Sequence, residues 1–350
     1  MLHRYMTIVS FSSPVKKISQ WIIVLAALSP DALHAQQMPA KAPDTSPHKV
    51  QFIFVDKDVK LEVLDWGGNG SPLVFLAGSG FDAHVFDKFA PQFTSSHHVY
   101  GITRRGFGAS SAPVPANGNY TADHLGDDVL AVIDDLKLSR PVLVGHSLAG
   151  EELSSIGSRH PEKVSGLIYL DAGYSYAFYS ASLGDPIIDA NDLKKRLDLF
   201  LSGGIVDSKG LSEMQSNAAQ FNQDLLALQK QMALMPPRPP RPANAPPPPP
   251  IAIALSAGRQ KYTDIHVPVL AIFADPHDFG QLYKDDPAAK AAVIANDVAT
   301  TSAQADAFQA GIPSARVIRI PNADHFVFRS NEAEVVSEIN AFLTKLPSSF

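Results

Sequence analysis

Short apolar segments separated by stretches of helical periodicity are the feature that most limits how this chain can fold. Leu73–Leu76, Val142–Val144 and Gly166–Leu170 are apolar runs of strand length. Apolar residues at helical spacing occupy Asp123–Leu136 and Leu148–Ser158. Parallel strands that are buried on both faces read as continuous apolar runs. The pattern therefore predicts an α/β fold with a mostly parallel central sheet and helices on both faces.

The same signals continue towards both ends of the chain. Alternating residues predict a β-hairpin over Gln51–Val55 and Lys60–Trp66. Further strands are predicted at Val99–Thr103, Val267–Phe273 and Arg316–Ile320, and a final helix at Glu332–Leu346. Active sites of such sheets lie beyond the carboxyl ends of the strands. The residues that directly follow each strand are therefore the candidates for chemistry.

The alternation of strands and helices is interrupted over residues 173–261. Leu193–Leu201 and Leu225–Leu234 are helical in character, and ten of the 15 residues in Pro236–Pro250 are proline. An insertion between two strands predicts a helical lid over the strand ends, with the proline segment as its stiff, solvated part. The catalytic core is then predicted to comprise residues 50–172 and 262–350.

The N-terminal segment has the features of an export signal. Arg4, Lys16 and Lys17 precede the apolar run Ile18–Leu28, and Leu33-His34-Ala35 forms a plausible cleavage site. Residues 1–35 are therefore predicted to be a signal peptide, and residues 36–49 a disordered leader rich in polar residues and proline. A periplasmic or secreted protein is expected. The alternatives are an uncleaved membrane anchor or a start codon placed too early.

Charge and cysteine content exclude several classes of function. The net charge is −6 and the isoelectric point is near 6.0, so we expect no nucleic-acid partner and no stable membrane insertion after signal cleavage. The chain has no cysteine, which excludes disulfides, thiolate metal sites and a cysteine nucleophile. His97 and His98 have no partner at metal-ligand spacing, so no metal site is expected there. No cofactor is expected either.

A serine stands at a predicted strand-to-helix corner between small residues. Gly145-His146-Ser147-Leu148-Ala149 nearly matches the G-x-S-x-G nucleophile elbow, with Ala149 in place of the last glycine. Small neighbours are needed there because the strand and helix backbones nearly touch. The helix that begins after the turn offers N–H groups to a developing oxyanion. The alternative is a serine that only caps the helix.

A serine nucleophile needs a base, and the base needs an acid that orients it. His325 follows the strand Arg316–Ile320, and Asp275 and Asp278 follow the strand Val267–Phe273. Asp171, which follows the strand Gly166–Leu170, is a further candidate acid. The predicted order along the chain is serine, acid, histidine.

From about residue 50 onwards the chain resembles the α/β-hydrolase fold enzymes, in particular bacterial members with a GHSxAGEE-like elbow. The elbow, the late Asp and His loops, and the segments Leu76–Gly80 and Arg104–Ser110 carry the resemblance. It implies that Ser147 is the nucleophile, His325 the base and Asp278 the acid, with Asp275 as the alternative acid.

The resemblance also implies an oxyanion hole built from the backbone N–H groups of Leu148 and Ser79, with Gly80 as the alternative to Ser79. Ala77 stands where relatives have a histidine. A carboxylesterase-like serine hydrolase that cleaves a small-molecule ester through an acyl-enzyme is expected. The alternatives are an amidase or aminopeptidase similar to proline iminopeptidases, and a non-catalytic receptor on the same fold.

Overall fold

The structure is a computed structural model, and it describes residues 48–205, 207–236 and 246–346. The predicted signal peptide, residues 36–47 of the predicted leader and most of the proline-rich segment lie outside the described residues. Export to the periplasm or the medium therefore stays a prediction.

Eight strands of the described chain form one sheet in the order β1-β2-β4-β3-β5-β6-β7-β8. β1 pairs with β2 and β2 with β4 in antiparallel fashion, and every other pair is parallel. The predicted mostly parallel sheet is confirmed. The strands are β1 (Lys49–Asp56), β2 (Val59–Gly67), β3 (Pro72–Leu76), β4 (His98–Ile102), β5 (Val142–His146), β6 (Gly166–Leu170), β7 (Val269–Ala274) and β8 (Ala315–Ile320).

Helices cover both faces of the sheet. Successive strand residues point to opposite sides, so the apolar residues of one strand pack against helices on both faces. Leu143 packs into the cluster that includes α1, α2 and α6, whereas Val144 packs into the cluster beneath α8. The helices are α1 (Ala122–Asp135), α2 (Gly150–Arg159), α3 (Pro186–Leu201), α4 (Ser208–Leu234), α5 (Pro250–Ala257), α6 (Pro287–Gly311), α7 (Val327–Ser330) and α8 (Glu332–Leu343).

The long helix α6 was not predicted from the sequence. Its residues are mostly small, with many alanines and few large apolar side chains to mark a buried stripe. The helix nevertheless contributes Phe308 to the core and buries Asp297, which lies close to the site described below. A helix of this composition is held by its contacts with the sheet more than by its own amphipathic pattern.

Three helices, α3, α4 and α5, lie between β6 and β7, within the predicted insertion. The carboxylate of Asp185 accepts hydrogen bonds from Ile187 N and Ile188 N, which fixes the start of α3. Several apolar side chains of α3 and α4 are exposed, among them Leu201, Leu226 and Leu234.

None of the described helices combines the length and the apolar character that crossing a membrane requires.

Candidate active site

Ser147 occupies a sharp turn between β5 and α2. Its φ angle is +53°, in the left-handed region that non-glycine residues seldom adopt. A single 3₁₀ turn, Ser147–Ala149, connects the strand to the helix. Gly150 follows this turn and lies so close to the loop after β6 that a Cβ there would be 2.1 Å from the carbonyl oxygen of Ala172. The strained, crowded turn is the geometry expected of a nucleophile elbow.

The loop after β3 lies directly against the elbow. A Cβ placed on Gly78 would be 2.9 Å from Ser147 Cβ and 2.9 Å from His146 Nδ1, so only glycine fits at this point. The loop that contains Ser79 and Gly80 therefore starts beside the serine. This is where a loop that donates N–H groups to an oxyanion has to be.

Arg104 holds this loop, in which Ala77 carries no side chain that could do so. Its Nη2 donates to the carbonyl oxygen of Ala77 at 3.0 Å and to Glu152 Oε2 at 2.8 Å. Both side chains are buried, and Glu152 lies on α2. The pair therefore ties the loop after β3 to the helix that follows Ser147.

His325 lies on the loop after β8, and its partner is Asp171. His325 Nδ1 donates to Asp171 Oδ2 at 2.6 Å. Asp171 follows β6 and is fully buried, whereas the histidine keeps a small exposed fraction. A histidine that donates from Nδ1 to a carboxylate has Nε2 available to take a proton, which is the tautomer a general base needs.

The structure does not bring Asp278 or Asp275 to His325, and this corrects the predicted acid. Asp278 is exposed and accepts a hydrogen bond from Gly280 N at 2.7 Å. Asp275 accepts from Ser302 Oγ at 2.8 Å and from Arg319 Nη1 at 3.2 Å. The two carboxylates of the loop after β7 contact other groups, and Asp171, the third candidate acid of the sequence, is the one that contacts His325.

Hydrogen-bond donors converge on Asp171. Its Oδ2 accepts from His325 Nδ1, from His277 Nε2 at 2.8 Å and from Tyr174 OH at 2.9 Å. Its Oδ1 accepts from Ala274 N at 3.1 Å. Burial alone would raise the pKa of Asp171, but the charge of His277 and these hydrogen bonds outweigh it and hold the pKa well below its usual range.

His277, from the loop after β7, is buried between two carboxylates. Its Nδ1 lies 2.9 Å from Asp297 Oδ1, its backbone N donates to Asp297 Oδ2 at 2.8 Å, and its Nε2 contacts Asp171. Burial would lower the pKa of His277, but the two carboxylates raise it to about 10. The side chain is therefore cationic at neutral pH.

His146, next to Ser147, contacts the loop that carries His325. Its Nε2 donates to the carbonyl oxygen of His325 at 3.0 Å, and the two rings lie 4.6 Å apart. Burial, with a contribution from His325, lowers the pKa of His146 to about 3, so the ring is neutral. His146 therefore helps to hold the loop of His325 in place.

Glu151, on the first turn of α2, is a fully buried carboxyl whose pKa is raised, in contrast to that of Asp171. Neither of its oxygens has a hydrogen-bond partner among the described residues. Burial raises its pKa to about 8, although the charges of Arg104 and Arg259 oppose this rise. The group is therefore a neutral carboxylic acid at pH 7.

Two groups of described side chains bring three metal-capable atoms within 4.8 Å of one another. One comprises Asp171, His277 and His325, and the other comprises His48, His84 and Asp87. In the first group two imidazole N–H groups point at one carboxylate oxygen, which is the reverse of the lone pairs that a metal requires. In the second group His84 Nδ1 lies 3.0 Å from Asp87 Oδ2, at hydrogen-bond distance.

An aminopeptidase would need a carboxylate to hold the substrate amine, and the insertion offers five aspartates for this, all of which have structural partners. Asp185 caps α3 and contacts Arg259, and Asp189 accepts from Tyr179 OH at 2.7 Å. The remaining candidates pair as follows: Asp192 with Lys261, Asp198 with Lys194, and Asp207 with Gly210 N at the start of α4.

Sequence reasoning missed Tyr174, His277 and Asp297 as members of the site. His277 lies between Asp275 and Asp278, the two candidate acids on the loop after β7. A histidine directly after a predicted parallel strand was the signal that could have identified it. Asp297 had no such signal, because it lies within the helix that the sequence did not predict.

Comparisons with known proteins agree with this architecture. The sequence profile of the alpha/beta hydrolase family matches residues 73–338, well over half of the chain. The chain is 27% identical over 186 residues to a 2-hydroxymuconate semialdehyde hydrolase of Pseudomonas sp. strain CF600, a match that covers 51% of this chain and 64% of that protein. It is 30% identical over 115 residues to a fluoroacetate dehalogenase of Burkholderia sp., covering 32% of this chain and 38% of the relative. Both matches span less than two thirds of the relative's length.

Among solved structures, a membrane phospholipase A described as a bacterial virulence factor superimposes with a TM-score of 0.54. The identity is 18%, and the match covers 85% of this chain and 86% of that one. A likeness at this level of identity demonstrates a shared fold and nothing finer. With the profile match over most of its length, the chain belongs to the alpha/beta hydrolase family.

Proposed function

We propose that this protein is a serine hydrolase that cleaves a small-molecule carboxylic ester through an acyl-enzyme, with Ser147, His325 and Asp171 as its triad. The observation that carries the proposal is the 2.6 Å contact between His325 Nδ1 and Asp171 Oδ2. It gives a base of defined tautomer at the carboxyl ends of the strands, where the strained serine turn also lies. The similarity to a 2-hydroxymuconate semialdehyde hydrolase supports a hydrolytic reaction.

The proposed reaction begins when Ser147 Oγ attacks the ester carbonyl and His325 Nε2 takes its proton. The imidazolium that forms is stabilised by the anionic carboxylate of Asp171. His325 then protonates the leaving alkoxide, and an acyl group remains on Ser147. A water molecule, deprotonated by His325, attacks the acyl carbonyl, and the serine leaves with the proton returned.

The oxyanion formed in both steps is assigned to the backbone N–H groups of Leu148 and Ser79. Two observations support the assignment. The turn Ser147–Ala149 leads into α2, so Leu148 is at a helix start, and Gly78 lies against Ser147 Cβ. The contact of Arg104 with the Ala77 carbonyl holds the second donor loop against the helix. Preorganised donors of this kind commonly supply a large part of the catalysis.

Ester cleavage is favoured over aminopeptidase activity by the charges around the site. An aminopeptidase needs ionised carboxylates that face the substrate amine, but the candidates of the insertion are already paired with their neighbours. Glu151, which is buried near Arg104 and Arg259, is neutral at pH 7 because its pKa is about 8. A receptor without activity is disfavoured because the three polar side chains of a triad are all present.

Replacing the nucleophile is the direct experiment. Ser147→Ala is expected to abolish hydrolysis of p-nitrophenyl acetate and butyrate and to prevent labelling by a fluorophosphonate, with an unchanged melting temperature. Ser216→Ala, at an exposed position of α4, is the matched control and should keep both activities. Turnover by Ser147→Ala at the wild-type rate would remove the serine from the mechanism. A wild-type protein that the fluorophosphonate fails to label would instead favour the receptor.

A further inference from the structure

We propose that His277 is a positioning residue of the triad, a buried imidazolium between Asp297 and Asp171 that fixes the Asp171 carboxylate against His325 and sets the acidic limit of activity. The proposal rests on the proposed function, since it assigns a second layer of residues to the same triad. His277 places a positive charge at the site, whereas the two carboxylates of the same loop, Asp275 and Asp278, contact other groups.

The protonation of His277 follows from its contacts. Nε2 lies 2.8 Å from Asp171 Oδ2, and Nδ1 lies 2.9 Å from Asp297 Oδ1. Ionised carboxylates only accept hydrogen bonds, so each ring nitrogen must carry a proton. An imidazole that donates from both nitrogens is the cationic form.

Both carboxylates also accept hydrogen bonds from further donors. Asp297 Oδ1 also accepts from Thr301 Oγ1 at 3.2 Å, and its Oδ2 accepts from His277 N at 2.8 Å. Asp171 accepts from the donors described above on both of its oxygens. Every carboxylate oxygen in this network thus contacts at least one hydrogen-bond donor.

The charges therefore alternate along a chain of contacts: Asp297 negative, His277 positive, Asp171 negative, and then the base His325. The titratable groups that face His277 come from each element packed against it, namely Asp171 and Tyr174 after β6, Asp297 on α6 and His325 after β8. The rings of His277 and His325 lie 6.3 Å apart. The positive charge of His277 thus lies against the carboxylate that contacts His325, and the negative charge of Asp297 lies on the other side of the His277 ring.

The backbone reinforces this arrangement. His277 forms a parallel bridge with Ala323, and Asp278 N donates to the Ala323 carbonyl oxygen at 2.7 Å. Ala323 is two residues before His325, so the loop of the cation and the loop of the base are joined. A change at His277 is thus transmitted to the base through Asp171 and through this backbone contact.

The pH dependence of kcat/KM with a p-nitrophenyl ester distinguishes this role from mere packing. His277→Gln removes the positive charge, so the acidic limb of the profile is expected to move upward by about one pH unit. Asp297→Asn removes a negative charge, and the limb should move downward by about half a unit. Asp278→Asn, on the same loop but outside the network, should leave the profile unchanged. The proposal would be overturned if the acidic limb of the profile stayed in place in both variants, or if it moved in the same direction in both.

A measurement on the wild-type protein avoids dependence on the folding of variants. In protein with ¹⁵N-labelled histidine, the two ring nitrogens of His277 should both give the chemical shifts of an imidazolium at pH 8. A neutral ring with one unprotonated nitrogen at that pH would refute the inference. This result is independent of catalysis, so it stands even if Ser147→Ala shows that the proposed function is wrong.

Discussion

Asp171 and Glu151 are both fully buried carboxyls close to Ser147, yet their ionisation is opposite. Asp171 lies at the carboxyl end of β6 and accepts hydrogen bonds on both oxygens. Glu151 lies on the first turn of α2, and neither of its oxygens has a partner among the described residues. The pKa of Asp171 lies well below its usual range, whereas burial raises that of Glu151 to about 8.

The difference shows that burial by itself says little about which carboxyl can serve a triad. A carboxyl without donors takes up a proton when it is removed from water, because the charged form is no longer solvated. Donors that converge on the group keep it ionised and able to stabilise an imidazolium. The side of the site formed by the loops after β6, β7 and β8 supplies these donors, and the helix side does not.

Asp171→Asn should produce the largest effect of the variants that address this comparison. The change keeps the shape but removes the charge beside His325, and the amide group can force the wrong tautomer on the base. We expect kcat/KM for a p-nitrophenyl ester to fall by about a thousandfold. Asp278→Asn changes the acid that the sequence favoured, and its kcat/KM should stay within about twofold of that of the wild type. The reverse ranking of the two variants would restore Asp278 as the acid.

Glu151→Gln should increase stability without abolishing activity. Because the pKa of Glu151 is about 8 in the folded protein and 4.5 in its ordinary state, the folded state retains a proton that the unfolded chain has lost. The stability of the wild-type protein therefore falls as pH rises from about 4.5 to about 8, then levels off. Relative to wild type, the melting temperature of Glu151→Gln should rise progressively over this window, by the equivalent of a few kcal/mol at its upper end.

Glu152→Gln is the matched control for that measurement. Glu152 is the neighbouring buried carboxyl, but it forms an ion pair with Arg104. Its replacement should lower the melting temperature throughout the same pH range, since it leaves a buried guanidinium without its partner. Parallel melting curves of wild type and Glu151→Gln from pH 5 to 9 would mean that Glu151 ionises like an exposed carboxyl.

Tyr174→Phe should give the smallest of the three effects. It removes the hydroxyl that donates to Asp171 Oδ2 at 2.9 Å and leaves the two histidine donors in place. A fall in kcat/KM of about three- to tenfold is expected, the usual worth of one hydrogen bond. Tyr179→Phe removes a comparable bond to Asp189 in the insertion and should alter the melting temperature but not kcat/KM. Equal kinetic losses in both variants would argue against a special role for donors at Asp171.

Much of the architecture could be predicted because it is encoded in local patterns. Gly166–Leu170 was predicted as a strand and is β6 without any change of bounds. The helix Asp123–Leu136 is displaced by one residue at each end. Apolar runs and helical spacing indicate these elements directly, because the side chains that are buried at the sheet are apolar. Helix α6 lacks such a stripe, so its prediction failed.

By itself, the sequence determined the parallel sheet, the serine on its turn between small residues, and a histidine on the loop after the last strand. These features depend on residues that are neighbours along the chain. The tertiary structure decided which carboxylate meets that histidine. Asp171, Asp275 and Asp278 all follow strands, and their spacing from His325 along the sequence does not tell them apart. Contacts with Ser302, Arg319 and Gly280 engage two of them, while donors from three separate loops converge on the third.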